Sequence, residues 1–305
     1  MLVFVAALIA SLTATQFDNL FTPAYFKLLD LIILPRTLLA IFAGGALACI
    51  GSCFQVIFRN PLASPYTTGL SSVAALSLAL SELLIIFFAF KSNIGLILYI
   101  TSSLAFVFTM YLMLKRKMSK QSLLLVGVSV GILSSSFIVL AQSFMGNESV
   151  ARLVRWTMGN IDIIGYQGVL ILGSASIFFL FFIYTQRTRI TLFSISEEFA
   201  HTRGVNVEGL FQRTFIGANF FLIILIWFCG PIGFIGLIVP HFTKKIFGAD
   251  FSKNIFPNFI LGASLLMIAT VLSKVLISTH VIPVGAVTAS IGAPFLIYLL
   301  VRSRF

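Results

Sequence analysis

Residues 31–65 read LIILPRTLLAIFAGGALACIGSCFQVIFRNPLASP. The apolar part of this stretch, residues 31–57, is longer than the about 20 residues that a helix needs to cross a bilayer. Arg36 is its only charged residue and lies near the start of the run. Pro61 and Pro65 follow the run, and proline interrupts helical hydrogen bonding. The stretch therefore predicts one transmembrane helix that ends in a proline-containing turn.

The whole chain has the same apolar character. Of its 305 residues, 59% are hydrophobic and 10% are charged, and the mean hydropathy is +1.08. A soluble domain carries about 25% charged residues, and no soluble core could bury this much apolar surface, which includes 33 Phe. These values exclude a cytosolic enzyme, a secreted disulfide scaffold and a disordered chain. They predict an all-α, polytopic membrane protein that forms a single transmembrane domain over residues 1–305.

Apolar runs and the breaks between them predict about ten transmembrane helices. The first run, residues 2–14, is too short to cross about 30 Å of hydrocarbon by itself. Either it spans together with residues up to Phe21, or the start of the chain is missing. The predicted spans are residues 2–14, 31–57, 66–90, 94–114, 121–145, 166–185, 211–229, 231–247, 257–279 and 283–301.

Lysine and arginine are distributed unevenly over the ends of these spans. With both termini in the cytoplasm, fourteen of the 20 basic residues lie on the inner side and six on the outer side. Two of these six, Arg152 and Arg155, lie with Trp156 in an amphipathic piece of the outer segment 146–165. Basic residues concentrate on the cytoplasmic side of membrane proteins, so this split predicts that both termini are cytoplasmic. It also accounts for most of the net charge of +11, and we therefore expect no nucleic-acid partner.

The inner segment 186–210 is longer than a connection between two spans requires. Ser196, followed by Glu197 and Glu198, is typical of a helix N-terminus. Gly204 is typical of a helix C-terminus. The segment therefore predicts a short helix along the inner membrane surface, with a solvated connector that has no partner as the alternative interpretation.

The residues that usually carry catalysis or bind metals are sparse. The three histidines lie far apart in the sequence, and no zinc, serine-hydrolase or phosphate-loop motif is present. Cys49 and Cys53 lie in one apolar run and are interpreted as small buried side chains, with a soft-metal pair as the alternative. We therefore expect no enzyme activity, no metal site and no cofactor in this chain.

Ionisable residues are also rare within the predicted spans. Only Glu82 and Lys274 are candidates, and both lie towards the outer ends. A carrier driven by an ion gradient usually places carboxylates near the middle of the membrane. This deficit disfavours an ion-coupled secondary transporter, which remains the alternative function.

Several motifs follow one another in a recognisable order. They are LPRTL (34–38), FRNPLASP (58–65), GLSS (69–72), LLVGV (124–128), WTMG (156–159), GVN (204–206), GPIGFIGLIVPH (230–241), PVGAVTA (283–289) and GAP (292–294). In order and spacing, from about residue 31 to the C-terminus, they resemble the permease family of the iron-siderophore, haem and vitamin B12 ABC importers. The first span departs from that family because it is shorter than usual.

This resemblance implies a ten-helix subunit that pairs with a second copy or a close relative, with the transport pathway along their interface. It implies two separate ATPase subunits on the inner side, which bind the ATP, and an extracytoplasmic substrate-binding protein on the outer side. The implied location is the bacterial cytoplasmic (inner) membrane. The favoured cargo is an iron-siderophore, while haem, cobalamin and oxyanions remain open.

The resemblance also assigns roles to individual residues. The contact with the ATPase is assigned to Glu197, Glu198, Ala200, Gly204 and Val205, with an ordinary connector as the alternative. Docking of the binding protein is assigned to Arg36, Lys274, Arg152 and Arg155, with anchoring at the membrane interface as the alternative. The inner gate is assigned to Asn60 and Leu62, with a rigid turn as the alternative, and further positions along the pathway are assigned to Gln121 and Ser122.

Overall fold

The computed structural model describes residues 2–13, 23–88, 94–116, 118–161, 164–275 and 282–302, and these residues form helices and no β-strand. A π turn, Leu29–Ile33, joins α2 to α3, and a 3-10 turn, Pro65–Thr68, precedes α4. The predicted span ends at residues 14, 90 and 279, and the extension to Phe21, lie outside the described residues. The helices are α1 (Leu2–Thr13), α2 (Pro23–Leu28), α3 (Leu34–Ile57), α4 (Leu70–Phe88), α5 (Ile94–Lys115), α6 (Lys120–Gln142), α7 (Asn147–Thr157), α8 (Gln167–Ile195), α9 (Glu197–Thr202), α10 (Val207–Cys229), α11 (Ile235–Phe247), α12 (Phe251–Val275) and α13 (Val284–Arg302).

Seven helical segments of the described chain are long and apolar enough to cross a membrane. The other three predicted spans correspond to shorter helices, namely α1 with 12 residues, α11 with 13 residues and the apolar part of α13, Val284–Tyr298. The all-helical membrane architecture is thus confirmed, and the number of ten spans remains a prediction. The seven segments are Phe26–Ile57, Leu70–Phe88, Ile94–Lys115, Lys120–Gln142, Gln167–Ile195, Val207–Cys229 and Phe251–Val275.

The structure corrects the start of the predicted inner segment 186–210. Helix α8 continues through this boundary to Ile195. Glutamine and arginine are good helix formers, so the loss of apolar character at Gln186 marks the expected edge of the hydrocarbon and not the end of the helix. The helix ends where Ser196 takes an extended backbone, with φ −158° and ψ 157°. The connection between α8 and α10 is therefore much shorter than predicted, and α9 makes up most of it.

Helix α3 lies at the centre of the bundle, where it contacts α8, α10, α11 and α12, and most of its residues are buried. A Cβ atom on Gly44 would lie 2.4 Å from the carbonyl oxygen of Gly262 in α12. A Cβ atom on Gly51 would lie 1.7 Å from the carbonyl oxygen of Gly236 in α11. Small residues allow helix backbones to approach closely in membranes, where packing drives helix association. These glycines therefore hold the central helix against α11 and α12.

The helices alternate in direction, so their charged residues gather at two ends of the bundle. At one end, Lys120 of α6 contacts Glu197 of α9 at 2.5 Å. We call this the basic end; α3, α5, α8 and α11 finish there, and α6, α10 and α12 begin there. At the opposite end, Arg152 of α7 contacts Glu82 of α4 at 3.2 Å. Among the described residues, those that were predicted to lie on the inner side are at the basic end, while the location of this end in the cytoplasm remains a prediction.

The contact between α3 and α12 predicts the effect of a single methyl group. Gly44→Ala should destabilise the protein by at least about 1–3 kcal/mol, because the added carbon overlaps backbone atoms that cannot move independently. Gly95→Ala in α5 is the matched control, since a Cβ atom there would lie 3.4 Å from Ser81 Oγ, an ordinary contact. Thermal melting of the two variants in detergent tests this, and equal melting temperatures would contradict the proposed packing.

Candidate functional site

Helix α9 is a short capped element at the basic end. Ser196 Oγ accepts a hydrogen bond from the N–H of Phe199 at 2.9 Å, which confirms the predicted N-cap. Glu197 and Glu198 occupy the first turn, where carboxylates interact favourably with the helix dipole. Glu198 is exposed, whereas Glu197 is partly buried. The helix therefore presents one carboxylate to solvent and holds the other against the bundle.

The C-terminal end of α9 is a Schellman motif. The N–H of Gly204 donates to the carbonyl oxygen of His201 at 2.9 Å, and the N–H of Val205 donates to that of Ala200 at 3.0 Å. Gly204 has a φ of +76°, which the motif needs, and a Cβ atom there would meet nothing within 4 Å. Ala200 and Val205 are buried against the bundle, while Gly204 is exposed. Of the predicted contact residues, Ala200 and Val205 thus seat the element, and Glu198 and Gly204 form its exposed surface.

Lys120 connects α9 to the first turn of α6. Its Nζ lies 2.5 Å from Glu197 Oε1, 4.7 Å from the ring centre of Phe193 in α8 and 5.3 Å from that of Phe211 in α10. The two charged side chains are 24% and 37% exposed, so solvent screening limits the ion pair to about 1 kcal/mol or less. Each cation–π contact adds about 0.5–1 kcal/mol. Lys120 therefore ties the capped helix to three longer helices.

Sequence reasoning missed Lys120, although it named the next two residues. The partners Lys120 and Glu197 are 77 positions apart in the sequence. Neither helical periodicity nor a short motif can predict a contact between residues so far apart. A basic residue at a predicted inner end was expected on charge grounds alone. Its specific partner becomes visible only when the start of α6 and the start of α9 lie side by side.

An apolar cleft of about 560 Å³ lies between the proline-containing turn after α3, the end of α7, the segment before α11, and α13. Leu62 and Tyr66 line it from the turn, and Thr157 and Met158 line it from α7. Leu62, Tyr66 and Met158 are 41%, 46% and 44% exposed, so the cleft is open along one side. Irregular backbone at membrane depth is tolerated where it lines a cavity, and this cleft is bordered by two such segments.

The predicted gate residues are only partly brought together. Leu62 lines the cleft, whereas Asn60 lies outside the lining and accepts, through Oδ1, a hydrogen bond from the N–H of Leu62 at 2.9 Å. Asn60 therefore shapes the turn that presents Leu62. Gln121 and Ser122 lie in the first turn of α6, away from the cleft lining, and the N–H of Ser122 donates to the capping Ser119 Oγ at 3.0 Å. Gln121 and Ser122 thus lie apart from the cleft, and their assignment to the pathway stays a prediction.

The four cations predicted to dock a binding protein fall into two groups at the opposite end. Arg36 of α3 and Lys274 of α12 line one small cavity together, and both are partly buried. Arg152 is engaged within the chain, since its Nη2 lies 3.2 Å from Glu82 Oε2. Arg155 is exposed on the same helix. Arg36 and Lys274 therefore lie close together, whereas the contact between Arg152 and Glu82 anchors α7 onto α4.

Polar side chains of the central helix α3 form hydrogen bonds with neighbouring helices. Cys49 and Cys53 are buried, and the Cys49 thiol donates to the carbonyl oxygen of Ile255 at 3.5 Å. Gln55 Oε1 accepts a hydrogen bond from Lys244 Nζ at 3.1 Å, a link between α3 and α11 that the sequence did not reveal. Among the described residues, no three His, Cys, Asp or Glu side chains converge on one point. The cysteine pair therefore gains no third metal ligand in this part of the chain.

Comparison with known proteins places this geometry in context. The model of the FecCD transport family matches residues 1–302. A probable iron chelatin transport system permease protein from Helicobacter pylori is 31% identical over 277 residues, which cover 89% of this chain and 81% of that protein. The hemin transport system permease protein HmuU from Yersinia pestis is 32% identical over 279 residues, which cover 89% and 82%.

The fold itself matches a solved structure. A protein assigned as a metal-chelate type ABC transporter, in an inward-facing conformation, superposes with a TM-score of 0.87 over 99% of this chain and 97% of that chain. The two sequences are 24% identical, so this likeness establishes the fold and nothing further.

The contacts of Lys120 predict that it holds α9 in place. Lys120→Met should speed amide hydrogen exchange of residues 197–205 by roughly fivefold, since the loss of about 1 kcal/mol changes a local opening equilibrium by that factor. The matched control is Lys253→Met at the same end, because Lys253 is 75% exposed and lies 3.9 Å from Asp250. Exchange measured by mass spectrometry on the purified variants tests the difference.

A charge exchange distinguishes the ion pair from simple packing of the lysine stem. Lys120→Glu combined with Glu197→Lys should restore part of the protection that Lys120→Glu alone removes. Equal exchange in the single and double variants, or an equal effect of Lys253→Met, would show that the ion pair does not position α9.

Proposed function

This chain belongs to the FecCD transport family, and on this premise we propose that it is the transmembrane permease subunit of an ATP-binding-cassette importer. The observation that carries the proposal is the apolar cleft of about 560 Å³, which is open on one side and bordered by segments from both ends of the bundle. A cleft of this form is half of a pathway. A second copy of the chain, or a close relative, completes it.

The inner constriction of this pathway is the turn that carries Leu62. Its exposed side chain extends into the cleft, and the hydrogen bond from its N–H to Asn60 holds the backbone of the turn. Met158 lines the cleft from the other side. The pathway wall thus combines a rigid turn with flexible apolar side chains, which suits the passage of a bulky solute that the protein does not coordinate.

Energy for transport comes from separate ATPase subunits, which bind the ATP. The sequence contains no phosphate-binding loop of its own. The exposed surface of α9, formed by Glu198 and Gly204, is the contact for the ATPase. Lys120 transmits a displacement of α9 to α6, because its ammonium group contacts Glu197 and its backbone belongs to the first turn of α6.

The basic end faces the cytoplasm, and both termini lie on that side. The bias of Lys and Arg towards this end supports the orientation. The opposite end then receives a binding protein outside the cytoplasmic membrane. Arg36 and Lys274, which lie together there, form a positive patch for acidic groups of that protein, and Arg155 adds a third charge.

The cargo that we propose is an iron chelate, with an iron-siderophore as the favoured form. The names of the Helicobacter and Yersinia relatives support this class, since they refer to iron chelatin and hemin. A carrier driven by an ion gradient is less well supported, because the described acidic residues lie near helix ends or between helices. An uptake assay in proteoliposomes tests the proposal: ATP-dependent entry of a radioactive iron chelate should require this chain, its ATPase and its binding protein together. Uptake driven by an ion gradient without ATP would overturn it.

The cap of α9 predicts how coupling is lost. Gly204→Val forces a β-branched residue into a left-handed conformation at a cost of about 1–2 kcal/mol, so the cap should unwind while the membrane helices stay folded. Transport-coupled ATP hydrolysis should fall by roughly tenfold. Gly146→Val is the control for added bulk, since Gly146 has a φ of −73° and a Cβ atom there would also meet nothing within 4 Å. Full ATPase stoichiometry and coupled hydrolysis in Gly204→Val would refute the contact.

The paired cations predict how docking is lost. Arg36→Glu should slow association of the binding protein by about tenfold at low salt and weaken the salt dependence of the rate, because such charges steer encounter. Basal ATP hydrolysis should change little, and Arg116→Glu at the basic end serves as the control. Stopped-flow association on folded, inserted protein gives the measurement. An unchanged rate and salt slope, or loss of membrane insertion alone, would indicate an anchoring role instead.

A further inference from the structure

A second apolar cavity lies on the outside of the bundle, between α8 and α10. This groove has a volume of about 680 Å³, and its lining contains no charged side chain. Phe178 and Phe220 form its two rims and are 73% and 57% exposed. Ser174, Ala175 and Gly217 also line the groove, and Gly217 accommodates the ring of Phe182. Both helices belong to the segments that are long and apolar enough to cross a membrane.

The length of the groove matches one leaflet of a bilayer. On α8 its lining extends over residues 171–182, which corresponds to about 16 Å of helix. One leaflet contributes half of a hydrocarbon core of about 30 Å. The groove therefore has the length that an acyl chain of one leaflet requires.

The register of the two helices shows what lies beyond the groove. A Cβ atom on Gly217 would lie 2.9 Å from the ring of Phe182, and Phe179 stacks on Phe221 with ring centres 5.2 Å apart. The helices are antiparallel, so one further turn towards the basic end brings Gln186 of α8 opposite residue 213 of α10. Helical spacing keeps these positions on the face that lines the groove.

The end of the groove is cationic. Arg213 lies three and four residues before the groove residues Ile216 and Gly217 on α10 and is exposed. Arg189 lies one turn beyond Gln186 on α8 and donates to Gln186 Oε1 at 3.2 Å. Glu208, the nearest acidic residue along α10, lines a different cavity beside Lys120. Two guanidinium groups therefore lie where the headgroup of a lipid in this groove would be.

From this combination we propose that the groove is a specific site for an anionic glycerophospholipid. An acyl chain lies along Ser174, Ala175 and Gly217, and the phosphate accepts hydrogen bonds from Arg189 and Arg213. Arginine suits this role because its planar fork pairs with phosphate oxygens. The matched leaflet length and the charge at one end distinguish the site from the remaining lipid-facing surface. The inference does not depend on the cargo or on the transport role.

Native mass spectrometry of the complete chain in detergent tests the site. Dioleoylphosphatidylglycerol should bind more tightly than dioleoylphosphatidylcholine, and Arg189→Gln or Arg213→Gln should each weaken its binding by roughly fivefold, the effect expected for one basic residue near anionic lipid. Arg116→Gln is the control for charge at the same end. Ser174→Leu should fill the groove and weaken binding of phosphatidylglycerol, and Thr109→Leu on the exposed face of α5 is its control.

Four outcomes would overturn the proposal. One is equal binding of the two lipids. Another is an effect of Arg116→Gln or Thr109→Leu as large as that of the groove variants. The third is competition by glycerol phosphate as strong as that by phosphatidylglycerol, which would indicate a site for soluble anions. If Ser174→Leu instead changes the oligomeric state in the same spectra, the groove is an interface between copies of the chain and the lipid assignment is wrong.

Discussion

The close approach of the α3 backbone to the backbones of α11 and α12 is the constraint on which the rest of the structure depends. Gly44 meets Gly262 of α12, and Gly51 meets Gly236 of α11, at distances that leave no room for a side chain. Lipid tails are as apolar as leucine, so helices in a bilayer associate through packing and hydrogen bonding and gain little from burying apolar side chains. With α3 held in this way, its first turn places Arg36 at one end, and its last turn starts the proline-containing segment beside the cleft.

The hydrocarbon also decides where polar chemistry can lie. A backbone group without a hydrogen-bond partner costs free energy in hydrocarbon. An irregular segment therefore either forms its own hydrogen bonds or borders a cavity. The Schellman motif at Gly204 provides hydrogen bonds for the last carbonyl groups of α9 at the basic end. In the turn beside the cleft, Asn60 accepts a hydrogen bond from the N–H of Leu62. Lys120 then joins the self-contained α9 to α6 through Glu197. A short helix that is capped at both ends, seated by the buried Ala200 and Val205 and joined to α6 through an ion pair is well suited to pass on a movement.

The two large apolar cavities differ in what borders them, and this difference separates their proposed roles. The cleft is bordered by a proline turn and by the segment that carries Met158, so irregular segments with exposed apolar side chains shape it. The groove lies between two regular helices, with Phe178 and Phe220 at its rims and Arg213 beyond its end. The open, irregular cleft suits passage of a solute, whereas a groove between regular helices with charge at one end suits a resident lipid.

The sequence by itself determined the membrane class, the helical fold, the unequal charge of the two ends and the caps at Ser196 and Gly204. Each of these depends on composition or on hydrogen bonds within a few residues. It misplaced the end of α8, because loss of apolar character marks the edge of hydrocarbon and not the end of a helix. Only the tertiary structure decided that Lys120 meets Glu197 and that Arg36 lies beside Lys274. Such contacts depend on which faces of helices that are far apart in the sequence pack together.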